Sequence, residues 1–271
     1  MKVNIDNIQY HVEVSGEGFP FLLLHGFTGD SSTWTPFLKY WDKHSQVIIP
    51  DIVGHGKTDS PDNLDDYKIE TAAKHLKLLL EHLGIQKVDL LGYSMGGRLA
   101  LTFAILYPER VRKLILESAS PGLNKEVQRQ ERRMKDAELA KFITDQGIND
   151  FVDYWENISL FSPNKNLPLS IQNKIRHQRL SNSAKGLANS LCGMGTGSQP
   201  SWWERLNDLH CEVLLLTGIK DEKFCSIAKE MQKCLKNVNW IVFYQSGHTI
   251  HVEEEEKFGT IVSDFVSLNQ E

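Results

Sequence analysis

The pentapeptide Gly92-Tyr93-Ser94-Met95-Gly96 stands directly between a short apolar run (87–91) and a helical pattern (97–107) closed by Pro108. A strand that turns at once into a helix around a serine strains the backbone and brings the helix close to the strand. Its neighbours must therefore be small, and Gly92, Gly96 and Gly97 supply that room. The serine hydroxyl is then held at a helix N-terminus, where the dipole and free N–H groups favour a developing anion. This one feature predicts a strand–turn–helix nucleophile, and with it a sheet whose strands alternate with helices.

The remaining pattern agrees. Residues 2–14 read as a strand pair turning at Asp6-Asn7, and short apolar runs follow at 19–24, 46–49, 113–116, 213–217 and 240–244. Near-continuous apolar runs of this length are expected of strands covered on both faces. Between them lie helical repeats: Ala72, Leu76, Leu79, Leu80 and Leu83 before Gly84, then Ile227, Met231 and Leu235, and finally Phe258, Val262, Phe265 and Val266. Alternation of this kind predicts an α/β fold with a mostly parallel sheet wrapped on both sides. The acidic run 253–256 is expected to open the last helix, where the dipole favours negative charge.

Residues 122–205 break the rhythm. They are helical and polar in pattern, with 12 Lys/Arg against 9 Asp/Glu, so +3 within a chain of net −5 and hence −8 elsewhere. The expected organisation is a core of 1–121 and 206–271 carrying a mildly basic helical insertion. The overall acidic balance argues against a general nucleic-acid binder. No apolar stretch is long enough to cross a membrane, and the amino terminus lacks a signal core, which points to the cytoplasm. The four cysteines (Cys192, Cys211, Cys225, Cys234) show no CxxC spacing, so reduced structural thiols are expected and neither a metal nor a cofactor is signalled.

A serine needs a base, and the base needs an orienting acid. The run 213–217 leads into Gly218-Ile219-Lys220-Asp221, and the run 240–244 into Gln245-Ser246-Gly247-His248. Each places a polar group just past a strand's carboxyl end, in the chain order Ser94, Asp221, His248 expected of this architecture. His251 and Asp51 are the nearest rivals; Asp51 precedes the serine, in a segment that a structural loop explains. His25-Gly26-Phe27 follows the run 19–24, so the Phe27 and Met95 backbone N–H groups are the expected oxyanion donors.

These motifs, in this order and over nearly the whole chain, resemble the α/β-hydrolase superfamily. The resemblance implies an eight-stranded sheet with 122–205 as a helical lid. A narrower resemblance rests on Ser94-Met95-Gly96-Gly97-Arg98, Ser120-Pro121-Gly122-Leu123, the arginine-rich stretch 129–133 with Asp136, and Gly195-Thr196-Gly197-Ser198-Gln199-Pro200. Together they are similar to the 2-succinyl-6-hydroxy-2,4-cyclohexadiene-1-carboxylate synthases of menaquinone biosynthesis, lyases that remove pyruvate from a succinyl-bearing cyclohexene carboxylate. That resemblance implies a small substrate with several carboxylates.

Arg98 lies one helical turn beyond Ser94, so both can face one pocket, and guanidinium forks suit carboxylates. The family pattern implies further arginine clamps from the lid at Arg132 and Arg179, with Arg129 and Arg176 competing for the same roles. Tyr93 and Trp155 are candidates for the pocket wall. Two other readings stay open: a true serine hydrolase (carboxylesterase or C–C bond hydrolase), and a catalytically silent binding protein on this fold, against which the complete triad argues. The oligomeric state is left open.

Overall fold

In the computed structural model, residues 1–267 are described. Eight strands form one sheet in the spatial order β1-β2-β4-β3-β5-β6-β7-β8: β1 (Lys2–Ile5), β2 (Ile8–Ser15), β3 (Phe19–Leu24), β4 (Ser45–Pro50), β5 (Val88–Tyr93), β6 (Val111–Glu117), β7 (Glu212–Gly218) and β8 (Val238–Phe243). The β1–β2 and β2–β4 pairs are antiparallel and every other pair is parallel. The expected hairpin turn is present, with Asp6 and Asn7 both at positive φ (48° and 68°).

Helices α1 (Leu38–Trp41), α2 (Ile69–His82), α3 (Met95–Leu106), α4 (Glu126–Trp155), α5 (Leu169–Leu180), α6 (Ala184–Met194), α7 (Glu222–Cys234), α8 (Ile250–Glu253) and α9 (Glu255–Ser267) complete the chain. Strand side chains alternate between faces, and the core divides accordingly. Leu22, Leu24, Leu90, Leu114 and Leu215 pack with α2, α3 and α7. Phe21, Leu23, Leu91, Ile115 and Leu216 pack on the opposite face against Trp34, Trp41, Phe258 and Val262. Both faces are covered, which is why the strands read as unbroken apolar runs.

The chain steps from β3 outward to β4, then returns past β3 to β5. Loops leaving β3 and β5 diverge there, and such a reversal opens a crevice at the strands' carboxyl ends. The segment between β6 and β7 lies over that crevice. It carries α4, α5 and α6 and has its own small core of Ile143, Phe151, Val152, Leu187 and Leu191. The long α4 is interrupted at Gly147, whose φ of 82° takes it out of helical geometry.

One expectation needs correction. The acidic run does not simply open the last helix, because it is divided between α8 and α9. Only Glu255 and Glu256 lie in the first turn of α9. Glu253 turns back to accept from the Gly247 N–H (2.9 Å), and Glu254 accepts from the Ser246 hydroxyl (2.6 Å). Two acids of the run thus brace the loop that presents His248.

Candidate active site

Ser94 sits between β5 and α3 at φ 50°, ψ −105°, a strained conformation for a residue with a side chain. Its N–H donates to the Glu117 carbonyl of the neighbouring strand (2.9 Å), which fixes the turn. The flanking glycines are sterically required: a Cβ on Gly92 would stand 2.3 Å from the Gly96 carbonyl oxygen, and one on Gly96 would stand 2.4 Å from the Leu24 and His25 carbonyl oxygens.

The three sequence-predicted polar residues converge. The Ser94 hydroxyl lies 3.0 Å from His248 Nε2, and His248 Nδ1 lies 2.6 Å from Asp221 Oδ2. With the ring proton on Nδ1, the imidazole donates to Asp221 and accepts from Ser94, the arrangement in which a serine can lose its proton. Asp221 is anchored from the other side, because its Oδ1 accepts from the Phe224 N–H and caps α7 (3.3 Å). The imidazole is sealed by Phe224, Tyr93 and Phe161, whose ring centres lie 4.7, 5.5 and 6.2 Å away.

The rivals do other work. His251 is buried and pairs through Nδ1 with Glu117 (2.8 Å). Asp51 accepts from the backbone N–H groups of Ser31 (2.6 Å) and Lys57 (2.7 Å), tying two loops together.

Above Ser94 opens a cavity of about 360 Å³ whose lining includes Phe27, Tyr93, Met95, Arg98, Arg132 and Trp155, all expected from the sequence. Met95 is the first residue of α3, so its N–H has no acceptor within the helix. Phe27 lies within the turn closed by Gly29 N–H to the Gly26 carbonyl (3.0 Å), and its ring packs edge-on against Trp155. The Tyr93 phenol is buried and its pKa is raised by desolvation, so it stays neutral.

Arg98 donates through Nη1 to the Met194 carbonyl and to Gln199 Oε1, both at 2.5 Å. No carboxylate pairs with it among the described residues, and burial with the nearby Arg132 charge pushes its pKa down to about 10. It is still a cation at neutral pH, held by neutral oxygens. Arg132 Nε donates to Asp136 (2.8 Å), whose own pKa is raised by burial.

Of the competing lid arginines, Arg129 pairs with Glu126, and Arg176 with Asp153 (2.6 Å) and Glu156 (2.7 Å). Neither lines the cavity around Ser94. Arg179 is a correction of position. It is buried behind Phe161, with its guanidinium 4.7 Å over that ring, and faces a neighbouring cavity of about 400 Å³ instead of the one containing Ser94.

The wall also contains residues that sequence reasoning missed. Gln128, Phe161, Phe224 and Lys223 all face the cavity. Lys223 had one visible signal, two positions beyond Asp221 at the start of a helix. Among the described residues no cluster of three or more His, Cys, Asp or Glu is placed to hold a metal ion, and no helix is long and apolar enough to cross a membrane.

A family model for the alpha/beta hydrolase fold matches residues 20–255. A Bacillus subtilis (strain 168) protein, provisionally named 2-succinyl-6-hydroxy-2,4-cyclohexadiene-1-carboxylate synthase, is 46% identical over 97% of this chain and 96% of its own. The solved structure of MenH from S. aureus superposes with a TM-score of 0.91 at 36% identity, covering 97% of this chain and 99% of that one. More distant is the 2-hydroxy-6-oxo-2,4-heptadienoate hydrolase of Pseudomonas putida, 27% identical over 96% of this chain and 93% of its own. The chain belongs to the α/β-hydrolase fold family, in the branch that includes the 2-succinyl-6-hydroxy-2,4-cyclohexadiene-1-carboxylate synthases.

Proposed function

We propose that this protein is a carbon–oxygen lyase of menaquinone biosynthesis. It eliminates pyruvate from a succinyl-bearing cyclohexene carboxylate and leaves 2-succinyl-6-hydroxy-2,4-cyclohexadiene-1-carboxylate. One observation carries the reading beyond the names of the relatives: Arg98, a cation without a carboxylate partner among the described residues, lines the same cavity as Ser94. An ester pocket wants apolar walls, whereas a substrate with several carboxylates needs this charge.

In this mechanism Ser94 acts as a base. Asp221 holds the His248 imidazole in the tautomer that accepts the serine proton. Ser94 Oγ then takes the proton α to the succinyl ketone, and the C–H electron pair forms an enolate. The Phe27 and Met95 N–H groups meet the charge on its oxygen. As the ketone re-forms, electrons move through the ring double bond and break the bond to the enolpyruvyl oxygen across the ring. The departing enolpyruvate takes up a proton and becomes pyruvate. Arg98 and Arg132 bind substrate carboxylates, Tyr93 and Trp155 shape the wall, and Arg179 supports it from behind Phe161. Every step so written is carried by side chains and backbone of this chain, without a metal or an organic cofactor. Residues 122–205 serve as the lid over a core of 1–121 and 206–271, and the enzyme works in the cytoplasm.

The likeness to a C–C bond hydrolase keeps one alternative in view, a true serine hydrolase in which Ser94 is acylated. Incubation with the enolpyruvyl-bearing precursor separates the two. The lyase releases pyruvate with Ser94 unmodified. A covalent acyl group on Ser94 with no pyruvate released would overturn the lyase reading.

A further inference from the structure

Lys223 lies in the first turn of α7, two residues beyond the acid that orients His248. It stands exposed at the rim of the cavity above Ser94. It also lines a second, more open cavity of about 570 Å³, together with Asp221, Ser162, Asn166 and Lys220. Leu160, Lys223 and His248 line both spaces, so together they form the junction between them.

The ammonium has no hydrogen bond or ion pair among the described residues, and its Nζ lies 5.3 Å from the centre of the Phe224 ring. Other lysines are held by surface acids, as Lys39 is by Glu255 and Lys185 by Asp62. Partial desolvation and the Arg132 charge lower its pKa, against the pull of Asp221.

Resting on the lyase reading, we propose that Lys223 binds the carboxylate of the departing enolpyruvyl group, and that the junction it guards is the subsite for a short 2-oxo acid. The substrate implied by that reading has three carboxylates: on the ring, on the succinyl chain and on the enolpyruvyl group. Arg98 is fixed on the α3 side of the cavity by Met194 and Gln199. Lys223 projects from α7, beside the base and where the second cavity opens. A cation there serves the small fragment that must leave, while the arginines retain the ring product.

The test compares wild type with Lys223→Met, which keeps the stem and removes the charge, and Lys223→Arg, which restores it. Pyruvate release from the enolpyruvyl-bearing precursor is measured beside the rate at which a neutral organophosphorus probe labels Ser94. Lys223→Met is expected to lower kcat/KM for pyruvate release about 10-fold or more, as for a lost hydrogen bond to a charged group. Lys223→Arg recovers most of it, and Ser94 labelling stays within about twofold in both variants. Added pyruvate should slow labelling of the wild type but not of Lys223→Met, while added succinate slows both alike.

Activity of Lys223→Met within about twofold of wild type overturns the inference. So does an equal fall in Ser94 labelling, which would mean that Lys223 supports the triad and not the substrate. Absence of protection by pyruvate in the wild type removes the assignment to the leaving group. A wild type that labels normally but releases no pyruvate overturns the lyase reading and this inference with it; an active wild type matched by Lys223→Met overturns this inference alone.

Discussion

The two oxygens of Asp221 serve two partners: Oδ2 holds His248 Nδ1 at 2.6 Å while Oδ1 caps α7 through the Phe224 N–H. One carboxylate therefore fixes both the base and the helix that closes over it. Asp221→Asn keeps the capping oxygen but lets the amide hold the imidazole in the wrong tautomer. We expect kcat to fall about 10³- to 10⁴-fold with stability nearly unchanged. Asp221→Ala should add a loss of about 1 kcal/mol from the missing cap. Steady-state kinetics and urea unfolding of both variants check this; a silent Asp221→Asn would transfer the orienting role to another acid such as Glu222.

Ser94 holds its position at a cost in backbone strain, with φ at 50° and ψ at −105°. Ser94→Ala should cut kcat about 10³-fold or more with normal folding, because triad members act as a unit. Ser94→Gly should be equally inactive yet more stable by about 1 kcal/mol, since glycine adopts this conformation at little cost. Thermal unfolding of the three proteins side by side measures the difference, and retention of a tenth of wild-type activity in either variant would remove Ser94 from the base role.

Arg98 has both a proposed substrate role and an observed structural one, through Met194 and Gln199. Arg98→Ala should lower kcat/KM for the multi-carboxylate substrate about 30-fold or more, and leave hydrolysis of a small neutral ester nearly unchanged. The paired assays decide between the roles. Equal losses on both substrates would mean that Arg98 matters only as the tie between α3 and the insertion.

His55 is fully buried, and desolvation with the nearby His25 holds its pKa down to about 3. The native state therefore keeps it neutral where the unfolded chain, near 6.5, takes up a proton. Its contribution to stability is complete above pH 6.5 and declines as pH falls toward 3, at up to about 1.4 kcal/mol per pH unit. Replacing it in His55→Gln should flatten the acid limb of stability between about pH 6 and 4. Urea unfolding across that range gives the slope, and an unchanged slope would assign the acid sensitivity elsewhere.

How much of this was legible depended on whether a feature is local. The elbow was legible because its glycines answer clashes with atoms a few residues away or on the adjoining strand. Asp221 and His248 were legible because each directly follows an apolar strand, and parallel strands end on the same side of a sheet. The acidic run misled, because a helix dipole accounts for Glu255 and Glu256, while Glu253 and Glu254 answer to Gly247 and Ser246 on the His248 loop.

The sequence by itself determined the alternating order of strands and helices, and the succession Ser94, Asp221, His248 at strand ends, since both follow from backbone pattern along the chain. Only the tertiary structure decided which cations meet the cavity. Arg129 and Arg132 are three residues apart on α4, yet one pairs with Glu126 at the surface and the other lines the cavity beside Asp136. Arg179 fell behind Phe161, and Lys223 came to the rim from the first turn of α7. A helix carries its charges on every side, and the side that faces the site is set by what packs against the others.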